Sequence, residues 1–275
     1  MAPAARPLYY GYNNDNSIPL PPKCSADDVH AADIIAVMFP YDPAILTAVE
    51  NTPQTIPDVL QGLHTIDSLS VNEDGLKWFN GLYLAVTQAV ENRVAIGGFT
   101  DPAWLVQLDV QFARLYFATL RAALTGAPYP GCWEAMFAVR GNVRITRIQF
   151  ALAGMNGHIN HDLCLAIDAT CKATNTVPRH GTAQYNDYTS LNPVLHGLID
   201  QAKQNLEVRL PGDQLPDVSH LEDLIAAWDV SAARETAWNS AEHLWNLPAL
   251  LAEGLVDGID GFTAVISKTL LVPLP

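Results

Sequence analysis

The sequence predicts an all-α protein: a single helical-bundle domain with a central buried polar helix and an irregular N-terminal arm. Three observations carry that reading. Apolar residues recur at helical spacing along most of the chain. Segment starts are marked by Ser, Thr or Asp, often beside proline. Strand-like alternation is confined to Val143-Arg-Ile-Thr-Arg-Ile148, and that segment merges into a helical stretch.

Residues 1–24, rich in proline and asparagine, form the expected arm, and residues 25–275 the helical domain. Ser25-Ala-Asp-Asp opens a helix with a cap and two first-turn acids. Asp42-Pro43 and Thr55-Ile-Pro57 place proline near the first helical position, where its missing N–H costs nothing. Val71-Asn-Glu-Asp leads into a helix to about Glu91 that is apolar on nearly every side and therefore central. Thr100-Asp-Pro starts a helix to about Leu124, which the segment Gly126 to Gly131 breaks. A short helix from Cys132 to Val139 precedes a longer one beginning near Asn142. Gln184 to Ser190, Asn192 to about Arg209, and two or three further helices after the Pro211–Pro216 loop complete the chain.

Composition bounds the function. Of 275 residues, 49% are hydrophobic and 16% charged, which suits a packed core rather than disorder. A net charge of −14 without any basic run excludes an electrostatic footprint for nucleic acid or an anionic membrane. No apolar stretch is long enough to span a bilayer, and the N-terminus lacks a signal-peptide core. The four cysteines, Cys24, Cys132, Cys164 and Cys171, show neither disulfide density nor paired zinc spacing and read as free buried thiols. A cytoplasmic protein is the expectation; self-association is left open.

The most informative stretch runs from Gln149 to Asp168. It is proline-free and rich in Ala, Leu and Ile, yet Asn156, His158, Asn160, His161 and Asp162 crowd into two turns. Asn, His and Asp are mediocre helix formers, so local propensity did not select them. Buried, each needs a partner, since an unpaired polar group costs roughly 1–3 kcal/mol. At about 100° per residue, Gly154, His158, His161 and Asp162 fall on one arc and Gln149, Asn156 and Asn160 on the opposite side. Gly154 and Gly157 each cost about 1 kcal/mol in a helix relative to Ala, which implies close approach of another helix or a ligand.

His158 and Asp162, at i and i+4, are open to three readings. They are two ligands for a divalent metal (Zn, Fe, Mn or Mg), with further ligands from Asp187, His180, His196 or Glu235. They are an acid–base pair, with Asp162 orienting His158. Or they belong to a satisfied structural network. Asn186, Asp187 and Ser190 match part of the Asn-Asp-x-x-Ser magnesium motif of class I terpene cyclases, but Val194 stands at the final acidic position. The plainer reading is a loop whose side chains cap the next helix. On the C-terminal side, Glu235, Trp238, Glu242 and Trp245 share a face that walls either a pocket or the core. Arg234 is placed to pair with a buried acid, Asp162 or Asp109.

Several of these segments together resemble one bacterial and fungal family. They are Trp78-Phe-Asn-Gly-Leu-Tyr-Leu-Ala-Val-Thr, Phe99-Thr-Asp-Pro, Leu108-Asp-x-x-Phe-Ala-x-x-Tyr-Phe, Gly154-Met-Asn-Gly-His-Ile-Asn-His-Asp-Leu and Ala233-Arg-x-x-Ala-Trp. The family is the domain-of-unknown-function 5995 family, and the resemblance covers roughly residues 75–246. It implies a soluble helical protein, sometimes encoded near biosynthetic genes, with no established activity. Gly157 stands where members usually carry Ala, and the N-terminal arm exceeds the family pattern.

The resulting expectation is an enzyme of proton-transfer cyclisation, isomerisation or hydrolysis acting on a small, largely apolar metabolite. His158 and Asp162 would carry the chemistry, with His161 and Asp187 secondary. Asn156, Asn160, Tyr83, Trp238 and Arg234 would bind substrate. The alternatives are a metal-dependent hydrolase or terpene-cyclase-like enzyme, and a non-catalytic small-ligand carrier.

Overall fold

The protein is all-α. A computed structural model describes residues 39–207 and 229–273, which lie within one compact unit, residues 36–275. The order is α1 (Asp42–Ala48), α2 (Ile56–Leu69), α3 (Gly75–Ala95), α4 (Pro102–Thr125), α5 (Gly131–Phe137) and α6 (Arg147–Gly157). A π-helical turn (His158–Asp162) joins α6 directly to α7 (Leu163–Thr174). Then come α8 (Ala183–Thr189), α9 (Asn192–Glu207), α10 (Val230–Asn246) and α11 (Ala249–Leu270). Among the described residues there is no strand, and no helix is long and apolar enough to cross a membrane. The arm over residues 1–24, the helix expected from Ser25, and the loop at Pro211–Pro216 lie outside the described residues.

Caps explain most boundaries. Thr55 accepts from Asp58 N at the head of α2, Asp74 from Leu76 N at α3, and Asp101 from Trp104 N at α4. The polar helix begins at Arg147, five residues later than the expected start near Asn142. Gln149 Oε1 accepts from Thr146 N at 2.8 Å and fixes the start there. The alternating segment before it is turn, not strand.

Helix α3 is central, packed on α2 and α6, and α6 also rests against α11. Beyond the π turn, α7 lies between α4 and α10. Trp104, Trp133, Trp238 and Tyr116 are fully buried in the core. A buried ion network ties α1 to the head of α3. Arg140 donates to Asp74 Oδ1 through Nε at 2.9 Å and to Asp42 Oδ1 through Nη2 at 2.9 Å. Its carbonyl also accepts from Gly75 N at 2.7 Å.

The two glycines of the polar helix are explained by aromatic rings. A Cβ on Gly154 would stand 2.3 Å from Phe79 Cγ, and one on Gly157 would stand 3.3 Å from Trp133 Cε2. Helix propensity alone would favour Gly154→Ala by about 1 kcal/mol. Packing reverses the sign, because the displaced atoms belong to the fixed base of Phe79. We expect Gly154→Ala to lose about 1–3 kcal/mol in urea denaturation; a more stable variant would show that α3 and α6 can separate freely.

Candidate functional site

The site is built on the π turn. Leu163 N–H bonds to the carbonyl of His158, five residues back. Such single-turn π segments inside α-helices recur at functional sites. The turn carries His158, His161 and Asp162, all buried.

Asp162 is the hub. Its Oδ2 accepts from Trp133 Nε1 at 3.1 Å and faces His158 Nδ1 at 3.1 Å, while Oδ1 faces His161 Nδ1 at 2.7 Å. Burial pushes the carboxyl up, but the two imidazoles outweigh it and hold Asp162 below its ordinary range. Burial pulls the His158 pKa down more than Asp162 raises it, so this ring is neutral at pH 7. A carboxylate can only accept, so the His158 proton sits on Nδ1 and Nε2 carries a bare lone pair. His161 is also desolvated, but the bond to Asp162, with Asp260 adding to it, raises its pKa.

His158 Nε2 is fully enclosed and has no hydrogen-bond partner. The ring stacks on Phe112 with centroids 3.5 Å apart and planes 8° from parallel. Tyr83 packs edge-on at 4.5 Å and Phe79 at 5.5 Å, with Tyr116 and Trp133 behind them. Tyr83 and Phe112 also line a cavity of about 50 Å³ that reaches Asp109, Leu163, Leu191, Leu195 and Arg234. Of its lining, Asp109 Oδ2 has no hydrogen-bond partner, and the Tyr83 hydroxyl faces Thr87. Burial, with Glu91 adding to it, pushes the Asp109 carboxyl up to about 7. Burial likewise drives the Tyr83 phenol well above its ordinary value, with Asp109 the next cause. A neutral phenol and a carboxyl poised near neutrality therefore line this void, and the neutral imidazole of His158 stacks on its Phe112 wall.

Other expected site residues go elsewhere. Asn156 Nδ2 donates to Thr263 O and Ser267 Oγ on α11, and Asn160 Nδ2 donates to Asn156 Oδ1. Gln149 reaches Leu270 O and Val272 O, so Gln149 and Asn156 tie this helix to α11 and the residues after it, while Asn160 braces Asn156. Asp187 does not join the His158 group. Its two oxygens accept from Thr100 N and Asp101 N at 2.9 and 2.6 Å, clamping the head of α4. Trp238 is core, packed on Trp104, Tyr185 and Tyr188.

Arg234 lines the cavity but pairs with no acid among the described residues. Its Nε donates to Asn192 Oδ1 and its Nη2 to Tyr188 O, both at 2.8 Å, and its guanidinium lies over the Tyr188 ring. The distant ligand candidates are likewise engaged, His180 with Glu235 and His196 with Ser231. The four-ligand set expected at His158 and Asp162 thus does not assemble. Among the described residues, the metal-ligating atoms that do gather are those of Cys132, His161 and Asp260.

The sequence marks Asp109 only as a partner for Arg234, and marks neither Phe112 nor Trp133 as a site residue. The signal for Asp109 was present: one carboxylate between Leu108 and Val110 on an otherwise apolar helix face. A second cavity, about 460 Å³ between α1 and α2, holds no comparable chemistry. Its acid, Asp58, is occupied in capping α2.

Residues 56–273 match the family described as "Family of unknown function (DUF5995)", and the chain belongs to that family. No curated protein and no solved structure matches it.

Proposed function

We propose that the protein is an enzyme of proton transfer acting on a small, largely apolar molecule, with His158 as general base. The observation that supports this most is the buried, unpartnered Nε2 of a ring whose Nδ1 is anchored on Asp162. A neutral histidine oriented by a carboxylate is built to take a proton at Nε2 and to hold the resulting charge against Asp162. Tyr83 Oη and Asp109 supply hydrogen bonds for an oxygen of the substrate, and Asp109 is tuned to exchange a proton near pH 7. Leu105, Leu108, Leu163, Leu191 and Leu195 set the preference for apolar groups.

The void itself is small. Its water-accessible space of about 50 Å³ takes a few waters or the reactive end group of a substrate. To reach His158 Nε2 the substrate must displace the Phe112 and Tyr83 rings packed on the imidazole.

The test is a panel of apolar ketones, lactones and esters in D₂O, scored for deuterium uptake at carbon and for hydrolysis. Wild type should turn over at least one compound, and His158→Gln should lower that rate by about 10²–10⁴-fold with the fold retained. Equal rates, or a compound that binds and leaves unchanged, would reject catalysis in favour of a carrier.

A further inference from the structure

We propose that Cys132, His161 and Asp260 form a zinc-type metal site, distinct from the cavity at His158 and independent of its role. One ligand atom from each lies within 4.8 Å of the other two, although the residues come from different elements: α5, the π turn and α11. Cys132 and His161 are almost wholly enclosed, and Asp260 is half-buried, which leaves an entry path on the α11 side.

The surroundings hold the ligands as a metal site requires. His161 Nδ1 is bonded to Asp162 Oδ1 at 2.7 Å, which fixes the ring and leaves Nε2 as the free ligand atom. A carboxylate behind a metal-binding histidine is the usual second layer of such sites. Asp260 is fixed as well: its Oδ2 accepts from Gly131 N and its Oδ1 from Cys132 N, both at 2.8 Å. Each oxygen retains a second lone pair for a cation.

The donor set selects the metal. One sulfur, one imidazole nitrogen and one carboxylate oxygen suit zinc and its neighbours, whereas magnesium and calcium want oxygen alone. Three protein ligands with a fourth position open is the arrangement of a zinc that also holds water. Around a tetrahedral zinc, ligand atoms stand about 3.6 Å apart, given metal–ligand lengths of about 2.0–2.3 Å. The present spread closes to that with side-chain shifts of about 1 Å. On binding, bonds form from the metal to sulfur, nitrogen and oxygen, and the thiol proton and any proton on His161 Nε2 leave to solvent.

Cobalt(II) is the probe. Titrated into the metal-free full-length protein, it should bind at about one equivalent and give a thiolate-to-cobalt charge-transfer band in the near ultraviolet. Cys132→Ser should abolish the band, and Cys171→Ser should keep it. Asp260→Asn, at the half-exposed ligand and therefore the safer variant for folding, should weaken zinc binding at least about tenfold against a chromogenic chelator. No charge-transfer band in wild type, a band that survives Cys132→Ser, or zinc affinity unchanged by Asp260→Asn would each overturn the assignment. None of these readouts depends on turnover, so the site stands or falls apart from His158.

Discussion

Replacing Arg140 with methionine should destabilise the protein by about 3–5 kcal/mol. The guanidinium side chain is 5% exposed and joins Asp42, 4% exposed, to Asp74, which is fully enclosed. Methionine would fill much of the volume but leave two carboxylates buried without a cation, and that desolvation is what costs most. The loss would fall on the joint between α1 and the head of α3, because Asp74 also caps α3 and accepts from Tyr41 Oη. Arg140→Lys should recover only part of it, since an ammonium cannot reproduce the bonds the guanidinium makes to both acids. Urea denaturation at neutral pH measures both variants. A loss under about 1 kcal/mol for Arg140→Met would mean that water reaches the carboxylates.

Asp109→Asn should act in the opposite direction and in a pH-dependent way. The carboxyl titrates at about 7 in the folded protein, against 3.8 for the free group. The folded state therefore binds this proton more tightly than the unfolded one, so stability falls as pH rises from about 4 through about 7. Roughly three pH units at about 1.4 kcal/mol each give a penalty of about 4 kcal/mol above that window. Asn carries no charge, so the variant should be more stable than wild type by up to that amount near pH 9 and equal to it below about pH 4. Its activity on any substrate of the proposed reaction should nevertheless drop, the trade expected of a group kept for function. Parallel stability profiles for the two proteins would show that Asp109 is solvated.

How far the sequence reached depends on what each signal measures. Helix starts were legible because Thr55, Asp74 and Asp101 act locally, on N–H groups two or three residues away. The crowd of polar residues at 156–162 was legible because it contradicts propensity. The sides they take were partly so: Asn156 turns to α11 with Asn160 bonded to it, while His161 leaves the His158 side and meets Cys132 and Asp260.

Other features were invisible for physical reasons. Arg140 meets Asp74 and Asp42 across 66 and 98 residues, and no local pattern encodes such a pairing. The π turn leaves no trace in hydrophobic spacing over five residues. Asp187 shows the complementary failure. A stretch of Asn, Asp and Ser looks the same whether it will hold a metal or clamp a neighbouring helix, and only the arrival of Thr100 and Asp101 decides it.

The π turn has a consequence for the whole rod from Arg147 to Thr174. A π turn adds one residue to the helical repeat and so shifts the angular phase of the second half relative to the first. The first half packs on α3 and α11, the second on α4 and α10. Without the extra residue, the side chains of the second half would be rotated by about 100° from their present neighbours. That residue is inserted where His158, His161 and Asp162 lie, so the chemistry and the gearing of the bundle occupy the same turn.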